Sequence, residues 1–331
     1  MNWSESRLHD YIIELRAGAD EGGCVVGEPG SDAAVLATGL KRPVLCVDQL
    51  VEGRHFMAEA SPEDVGRKAA GRALSDLAAT AATPRALLLT LRADDGLTSG
   101  ETASEEWLRA VLRGVWASGH AYGAPLVGGD IAAGDGPTSL AVTALGEFEF
   151  AGVPPGREHA RAGDVVLLTG ALGGSILGRH LCIHPRLEEG RWLYARGARA
   201  MMDVSDGLAL DLTRVARRSG VDIQLELDQV PVHADAHRLA KSDQVSALDH
   251  ALSDGEDHEL IAFAGEADAL ALLTEGCPLM PELRRIGRVV ERLSGPERES
   301  GQELWVRSGS KASWSPFKGR GGYVHGTRLG G

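Results

Sequence analysis

Apolar residues recur along the chain at two spacings. At helical spacing, Leu8, Tyr11, Ile12 and Leu15 predict an amphipathic helix over 4–18. Val65, Ala69, Ala73, Leu77 and Ala81 predict another over 62–82, with Pro62 in its first turn. A third such stretch, 102–123, ends at Gly123. Short leucine- and valine-rich runs between them predict buried strands over 33–37, 43–48, 86–93, 124–130 and 139–150, the fourth running into a turn. The segment AGVPPGRE, 151–158, breaks both periods and marks a domain boundary. Beyond it the pattern predicts a strand entering a Gly-rich turn over 164–175, helices over 175–184 and 186–198, and a turn and helix over 201–220. Strands follow over 221–231, within 251–265 and over 284–291, before a polar, Gly-rich tail. Strands and helices alternate in both halves, so each half is α/β or α+β.

Composition narrows the class. The chain has 331 residues, which fits two domains of roughly 150 residues each. Hydrophobic residues at 43% and charged residues at 24% are ordinary globular values and argue against a disordered or fibrous chain. Lys and Arg number 34 against 47 Asp and Glu, a net charge of −13, and no basic stripe stands out, so nucleic acid is not an expected partner. No apolar run approaches the roughly 20 residues that span a bilayer, and the N-terminus carries no secretory pattern, so no membrane partner is expected. Cys24, Cys46, Cys182 and Cys277 form no CxxC pair, which fits a reducing cytoplasm. Glycine is plentiful, at 43 residues, and gathers in short clusters between apolar runs, where backbone must turn or approach a ligand.

The candidate chemistry is acidic. Asp32, Asp48, Asp76, Asp130, Asp203 and Asp206 stand in short segments, most with Gly, Ser or Ala neighbours that would let several turns converge. Converging carboxylates repel unless a cation sits among them, and Mg²⁺ takes a few carboxylates together with substrate phosphates. Any one of these residues also reads as a cap or turn residue. Asp76 differs, because it stands within an apolar helix, where burying an unpaired carboxylate is costly. GALGGS, after a strand, resembles a phosphate-cradling turn but lacks both GxGxxG spacing and the lysine of GxxxxGK[ST], so a tight turn is the simpler reading. His180 and His184 lie four apart without an HExxH pattern, so zinc is not expected.

Taken in order, GSDAAVL, VDQLVEGRHF, K-A-x-x-x-x-L-S-D-L-A-A-x-x-A-x-P-R, LVGGD, R-x-x-A-x-x-G-D, DVSDGLALDL, GEDHEL and GYVH resemble the thiamine-monophosphate kinase family, over about residues 27–326. The wider superfamily, which includes aminoimidazole ribonucleotide synthetase, consists of ATP users. The resemblance implies an α/β (α+β), two-domain aminoimidazole ribonucleotide synthetase-like fold. In it, residues 1–152 form an N-terminal domain for ATP and Mg²⁺ binding and for dimerisation, its strands building a β-barrel across a homodimer. Residues 153–331 form a C-terminal α/β domain that completes the ATP and substrate site. The implied reaction is Mg²⁺-dependent, direct in-line transfer of the γ-phosphoryl group of ATP to thiamine monophosphate, giving thiamine diphosphate, in the cytoplasm. The motifs imply metal ligands at Asp32, Asp48, Asp76, Asp130, Asp203 and Asp206, of which Asp48, Asp76 and Asp130 carry the catalysis. They imply ATP contacts at Gly129, Asp130, Arg157 and Ser205, and thiamine-phosphate contacts at His55, Glu256 and Tyr323. The sequence departs from the family pattern at Ser31, Val47, Ile131, Asp254 and Val324, which keeps the core Asp set and thins its support. Two other readings keep the fold: a superfamily enzyme acting on another small acceptor, and a non-catalytic nucleotide-binding homologue.

Overall fold

A computed structural model describes residues 39–94, 101–293 and 303–319, with 11, 14–15, 25–26, 35–36 and 322. The chain divides into two compact units, Met1–Leu77 with Ala82–Glu149 and Leu181–His184, and Ala78–Ala81 with Phe150–His180 and Pro185–Gly331. Both mix helices with strands.

In the first unit, β1 (Val25–Val26) and β2 (Val35–Leu36) form an antiparallel pair. The main sheet contains β3 (Pro43–Val51), β4 (Thr83–Asp94), β5 (Leu126–Gly134) and β6 (Ser139–Glu147), in the order β3-β6-β4-β5. Its pairs are antiparallel except β4 with β5, which are parallel. A parallel pair needs a crossover, and helix α2 (Glu101–Ala121) supplies it. Helix α1 (Pro62–Ala79) buries Val65, Ala69, Ala73 and Leu77, the stripe expected from the sequence. Gly66 on α1 lies against the Val111 carbonyl of α2, and Gly114 on α2 lies against the Glu63 carbonyl of α1. A methyl group at either position would strike backbone, so the helices touch main chain to main chain. Leu50, Leu89, Leu91 and Val142 line the buried face of the sheet. This sheet is open, and no closed barrel is present among the described residues.

One expectation needs correction here. The 124–130 strand does not end in a turn at Asp130 but runs on to Gly134. Gly128 and Gly129 read as a turn, yet Gly129 is needed inside the strand, because a Cβ there would collide with the Leu89 carbonyl of β4. The 4–18 helix falls largely outside the described residues; Tyr11, Glu14 and Leu15 are helical.

The second unit is built on β7 (Asp164–Leu168), β8 (Ala198–Asp203), β9 (Asp222–Glu226), β10 (Leu260–Gly265), β11 (Arg284–Val290), β12 (Leu304–Arg307) and β13 (Ser315–Pro316). Their order is β13-β12-β9-β11-β7-β10-β8. Every neighbouring pair is antiparallel except β12 with β9. Helices α3 (Leu187–Ala195), α4 (Leu208–Ser219), α5 (Ala234–Asp243), α6 (Ala247–Ser253) and α7 (Glu266–Glu275) complete it. Val166, Leu168, Met202, Leu212, Val215, Ile223, Phe263 and Ile286 belong to one buried core. Helix α4 stops at Gly220, which is left-handed at φ 69° and donates its N–H back to the last turn.

The expected helix over 175–184 is instead two 3₁₀ turns, Ser175–Leu177 and Arg179–Leu181. Gly174 at φ 73° and Gly178 at φ 134° interrupt the backbone on either side of the first. Met201 and Met202, expected at the start of a turn and helix, lie in β8.

Candidate functional site

In the second unit the candidate residues Asp203, Ser205, Asp206 and Glu256 gather where β8 ends. Asp203, its last residue, is 3% exposed and places Oδ2 3.1 Å from Nδ1 of His258, itself 2% exposed. The two segments run side by side, because Val204 N–H donates to the Glu259 carbonyl at 2.8 Å and His258 N–H donates to the Val204 carbonyl at 2.9 Å. The turn after Asp203 is held from below by Asp211, which is fully buried on the first turn of α4. One Asp211 oxygen accepts from the Ser205 and Asp206 N–H groups at 3.1 Å each, and the other accepts from Arg214 at 2.8 Å. Arg214 also bonds Asp206. Burial, followed by the charge of Asp203, pushes the Asp211 carboxyl up to about 7 against these donors.

The loop 253–259 packs onto this turn. Glu256 N–H donates to the Ser205 carbonyl at 2.8 Å, and the Glu256 carboxylate stands 3.4 Å from Nδ1 of His180. Glu256 at φ 52° and His258 at φ 54° are both left-handed, an uncommon conformation for residues with side chains. The Gly-rich turn 170–175 lies against the same loop. Its Gly173 N–H reaches both oxygens of Asp257, at 3.1 and 3.0 Å, and its Gly174 N–H reaches Asp254 at 2.8 Å. Ser175 Oγ donates to the Gly255 carbonyl at 2.8 Å, and Arg179 donates to Asp257 at 3.0 Å. Burial raises the Asp257 carboxyl to about 6, opposed by Arg179 and the Gly173 N–H. The amides of this turn are thus directed at the chain's own carboxylates, which agrees with the simpler reading of GALGGS. Glu259 completes the loop, accepting from Thr169 Oγ1 at 2.5 Å and from Arg186 Nε at 3.0 Å.

In the first unit the predicted residues are placed separately. Asp48 points to the α1 side of the sheet, where Arg72 clasps it through Nε at 2.8 Å and Nη2 at 3.0 Å. Asp48 lies in register with Val142, Leu89 and Gly129 across the four strands. Asp130, the next residue along β5, therefore takes the opposite, exposed face beside Thr90. Its backbone is three strand spacings from Asp48, about 14 Å. Asp76 is half-buried between fully buried Ser75 and Leu77, not enclosed as the helix pattern suggested, so the burial argument for it loses force. His55 sits in a turn after β3, where its Nδ1 accepts from the Val51 N–H at 3.0 Å, leaving Nε2 to carry the proton of the neutral ring. Lys68, fully buried on α1, donates to the His55 carbonyl.

Ser205 and Glu256 are brought together, as are Asp203 and Asp206. Arg157 is not beside Ser205: its carbonyl accepts from Ser219 Oγ at 2.8 Å, at the far end of the 12-residue α4, about 18 Å along its axis. Asp32 and Tyr323 lie outside the described residues. Gly322 packs against the Asp206 carbonyl, so the chain preceding Tyr323 reaches this turn. Among the described residues no three His, Cys, Asp or Glu side chains are grouped to hold a metal ion. Asp211, Asp257, His258 and Arg214 escaped the sequence reading. Asp211 carried a usable signal, a carboxylate between Leu208 and Leu212 on the apolar stripe of α4.

The chain matches the AIR synthase related protein N-terminal domain over residues 30–148 and the corresponding C-terminal domain over residues 174–295. It is 36% identical over 319 residues to the thiamine-monophosphate kinase of Rhodopirellula baltica, covering 95% of this chain and 93% of that one. The crystal structure of thiamine-monophosphate kinase from Stenotrophomonas maltophilia K279a is similar with a TM-score of 0.72 at 30% identity, covering 97% of this chain and 98% of that one. AaThiL complexed with AMPPCP and TMP is similar with a TM-score of 0.68 at 25% identity, covering 94% of this chain and 96% of that one.

Proposed function

This chain belongs to the thiamine-monophosphate kinase family, and from that membership we propose that it moves the γ-phosphoryl group of ATP to the phosphate of thiamine monophosphate, giving thiamine diphosphate and ADP. The near full-length match to the Rhodopirellula baltica enzyme carries this reading. AaThiL, which holds AMPPCP and TMP together, supports the pairing of an ATP-like donor with a thiamine-phosphate acceptor.

The acceptor is already an ionised phosphate, so a strong general base is unnecessary. The obstacle is bringing two anions together for in-line transfer. A chain with net charge −13 and no lysine-bearing phosphate loop must import positive charge, and Mg²⁺ is the proposed source. The donor set suits it: all six candidates offer carboxylate oxygens, and Mg²⁺ binds through one or two carboxylates while keeping water and substrate phosphate, so pairs of carboxylates suffice. Asp203 and Asp206 would hold it in the second unit; in the first, Asp48 and Asp130 stand on opposite faces of the sheet and would serve different ions, with Asp76 and Asp32 as the remaining candidates. Bound there, it would neutralise phosphate charge. Asp48, Asp203 and Asp206 already face Arg72, His258 and Arg214, which a metal would have to share.

The remaining roles follow the same reading. Gly129, Asp130, Arg157 and Ser205 serve ATP; His55, Glu256 and Tyr323 serve thiamine monophosphate. His55 would offer its Nε2 proton to an anionic oxygen. Ser205 and Glu256 share a hydrogen bond, so a nucleotide contact and an acceptor contact move as one piece. A homodimer is supported by the outward face of the first unit's sheet, where Leu45 is 69%, Val47 63% and Leu88 42% exposed. Two four-stranded sheets meeting through this face would supply a barrel. Residues 1–152 would then bind ATP and metal and dimerise, residues 153–331 would complete the site, and the enzyme would work in the cytoplasm. No helix among the described residues is long and apolar enough to cross a membrane.

The test is thiamine diphosphate formation from ATP and thiamine monophosphate with Mg²⁺ titrated from micromolar to tens of millimolar. Product with an ordinary Mg²⁺ requirement is expected. Absence of product under every metal condition would overturn the assignment.

A further inference from the structure

Resting on Glu256 as a contact of thiamine monophosphate, we propose that Asp257 is a positioning residue: it pins the Glu256 loop to the glycine turn 170–175 and so fixes where the Glu256 carboxylate stands.

Asp257 sits between two left-handed residues, Glu256 at φ 52° and His258 at φ 54°. Side chains resist that conformation, so the loop holds it only where surrounding contacts dictate it. Asp257 makes those contacts. Its side chain has no exposed surface, and both carboxylate oxygens accept from a single backbone donor, Gly173 N–H, at 3.1 and 3.0 Å. Arg179 bonds Asp257 at 3.0 Å and, through the same nitrogen, the Gly173 carbonyl at 2.8 Å, clasping both sides of the joint. Asp235 holds Arg179 in turn, at 3.0 Å. The anchor is itself immobilised. Gly173 packs so tightly on the backbone of His250 and Ala251 that a Cβ there would collide with it.

Neighbouring contacts act in the same direction. Asp254 accepts from Gly174 N–H at 2.8 Å, and Ser175 donates to the Gly255 carbonyl at 2.8 Å. They bracket Glu256 on its N-terminal side as Asp257 does on its C-terminal side. A charged carboxylate buried here contributes nothing to the apolar core and cannot reach solvent. What it governs is the direction of the adjacent residue, whose carboxylate meets His180 and whose N–H meets Ser205.

The experiment compares Asp257→Asn, Asp257→Ala and Glu256→Ala in steady-state kinetics with each substrate varied, alongside thermal unfolding. Asn retains an acceptor for Gly173 N–H but loses the charge facing Arg179. Asp257→Asn should raise KM for thiamine monophosphate about tenfold, with KM for ATP changed less than about twofold and folding retained; Asp257→Ala should raise it further. If Glu256→Ala raises that KM while both Asp257 variants leave it unchanged, the positioning role is overturned. Equal rises in both KM values, or a fall in kcat alone, would also overturn it, by showing a general architectural role. If Glu256→Ala leaves KM for thiamine monophosphate unchanged, it is the reading of Glu256 that fails.

Discussion

Asp203 and His258 meet Oδ2 to Nδ1 at 3.1 Å, between two nearly inaccessible side chains. This contact joins the last residue of β8 to the loop that follows Glu256. Removing one partner exposes the other to the cost of burial without that bond. His258→Ala should therefore destabilise the fold by about 2–4 kcal/mol and lower turnover as well. Urea unfolding with parallel activity measurement checks this; an unchanged midpoint would show that Asp203 does not depend on the ring.

Asp76 offers a cleaner separation of chemistry from folding. It is half-buried at the margin of the α1 stripe, so an amide is tolerated there. Asp76→Asn should cut kcat by at least about 100-fold, the scale of losing one electrostatic contact in a transition state, with the unfolding transition unmoved. Wild-type turnover would make this carboxylate structural.

Asp257 also gives a pH signature in stability. Its carboxyl is raised by burial to about 6 from the ordinary 3.8, with Arg179 opposing and Asp254 adding to the rise. Between those values the folded chain holds this proton and the unfolded chain releases it. Stability contributed here is therefore present at low pH and declines as pH rises through about 4 to 6. The difference in unfolding free energy between wild type and Asp257→Asn, followed by urea titration, should shift against wild type across that window and stay flat above it. A flat difference throughout would contradict the buried acid.

The outward face of the first unit's sheet makes a fourth case. Strand alternation puts Val47 on that face, while its neighbour Asp48 points to Arg72. Val47→Lys should dissociate the proposed dimer, measured by analytical ultracentrifugation, while each chain stays folded. An unchanged sedimentation coefficient would locate any self-association elsewhere.

These cases also mark what was legible in the chain. The α1 stripe declared itself because Val65, Ala69, Ala73 and Leu77 repeat along one face. β7 and β10 declared themselves as unbroken apolar runs. Misreadings occurred where glycine served something other than a turn. Gly129 permits close strand approach, whereas Gly174 and Gly178 break a sequence that otherwise has helical composition. The acidic residues Asp203 and Asp206 were visible as motifs. Their supports, Asp211 and His258, were not, because their roles depend on hydrogen bonds to backbone and partners up to 55 positions away.

The glycine turn 170–175 has one more consequence. With Asp254 and Asp257 already seated across its amides, its Gly173 and Gly174 N–H groups are spoken for by the chain's own carboxylates. A polyphosphate reaching the turn would find those two donors taken. Its glycines therefore serve the joint with the 253–259 loop and leave no open anion cradle at Gly173 and Gly174.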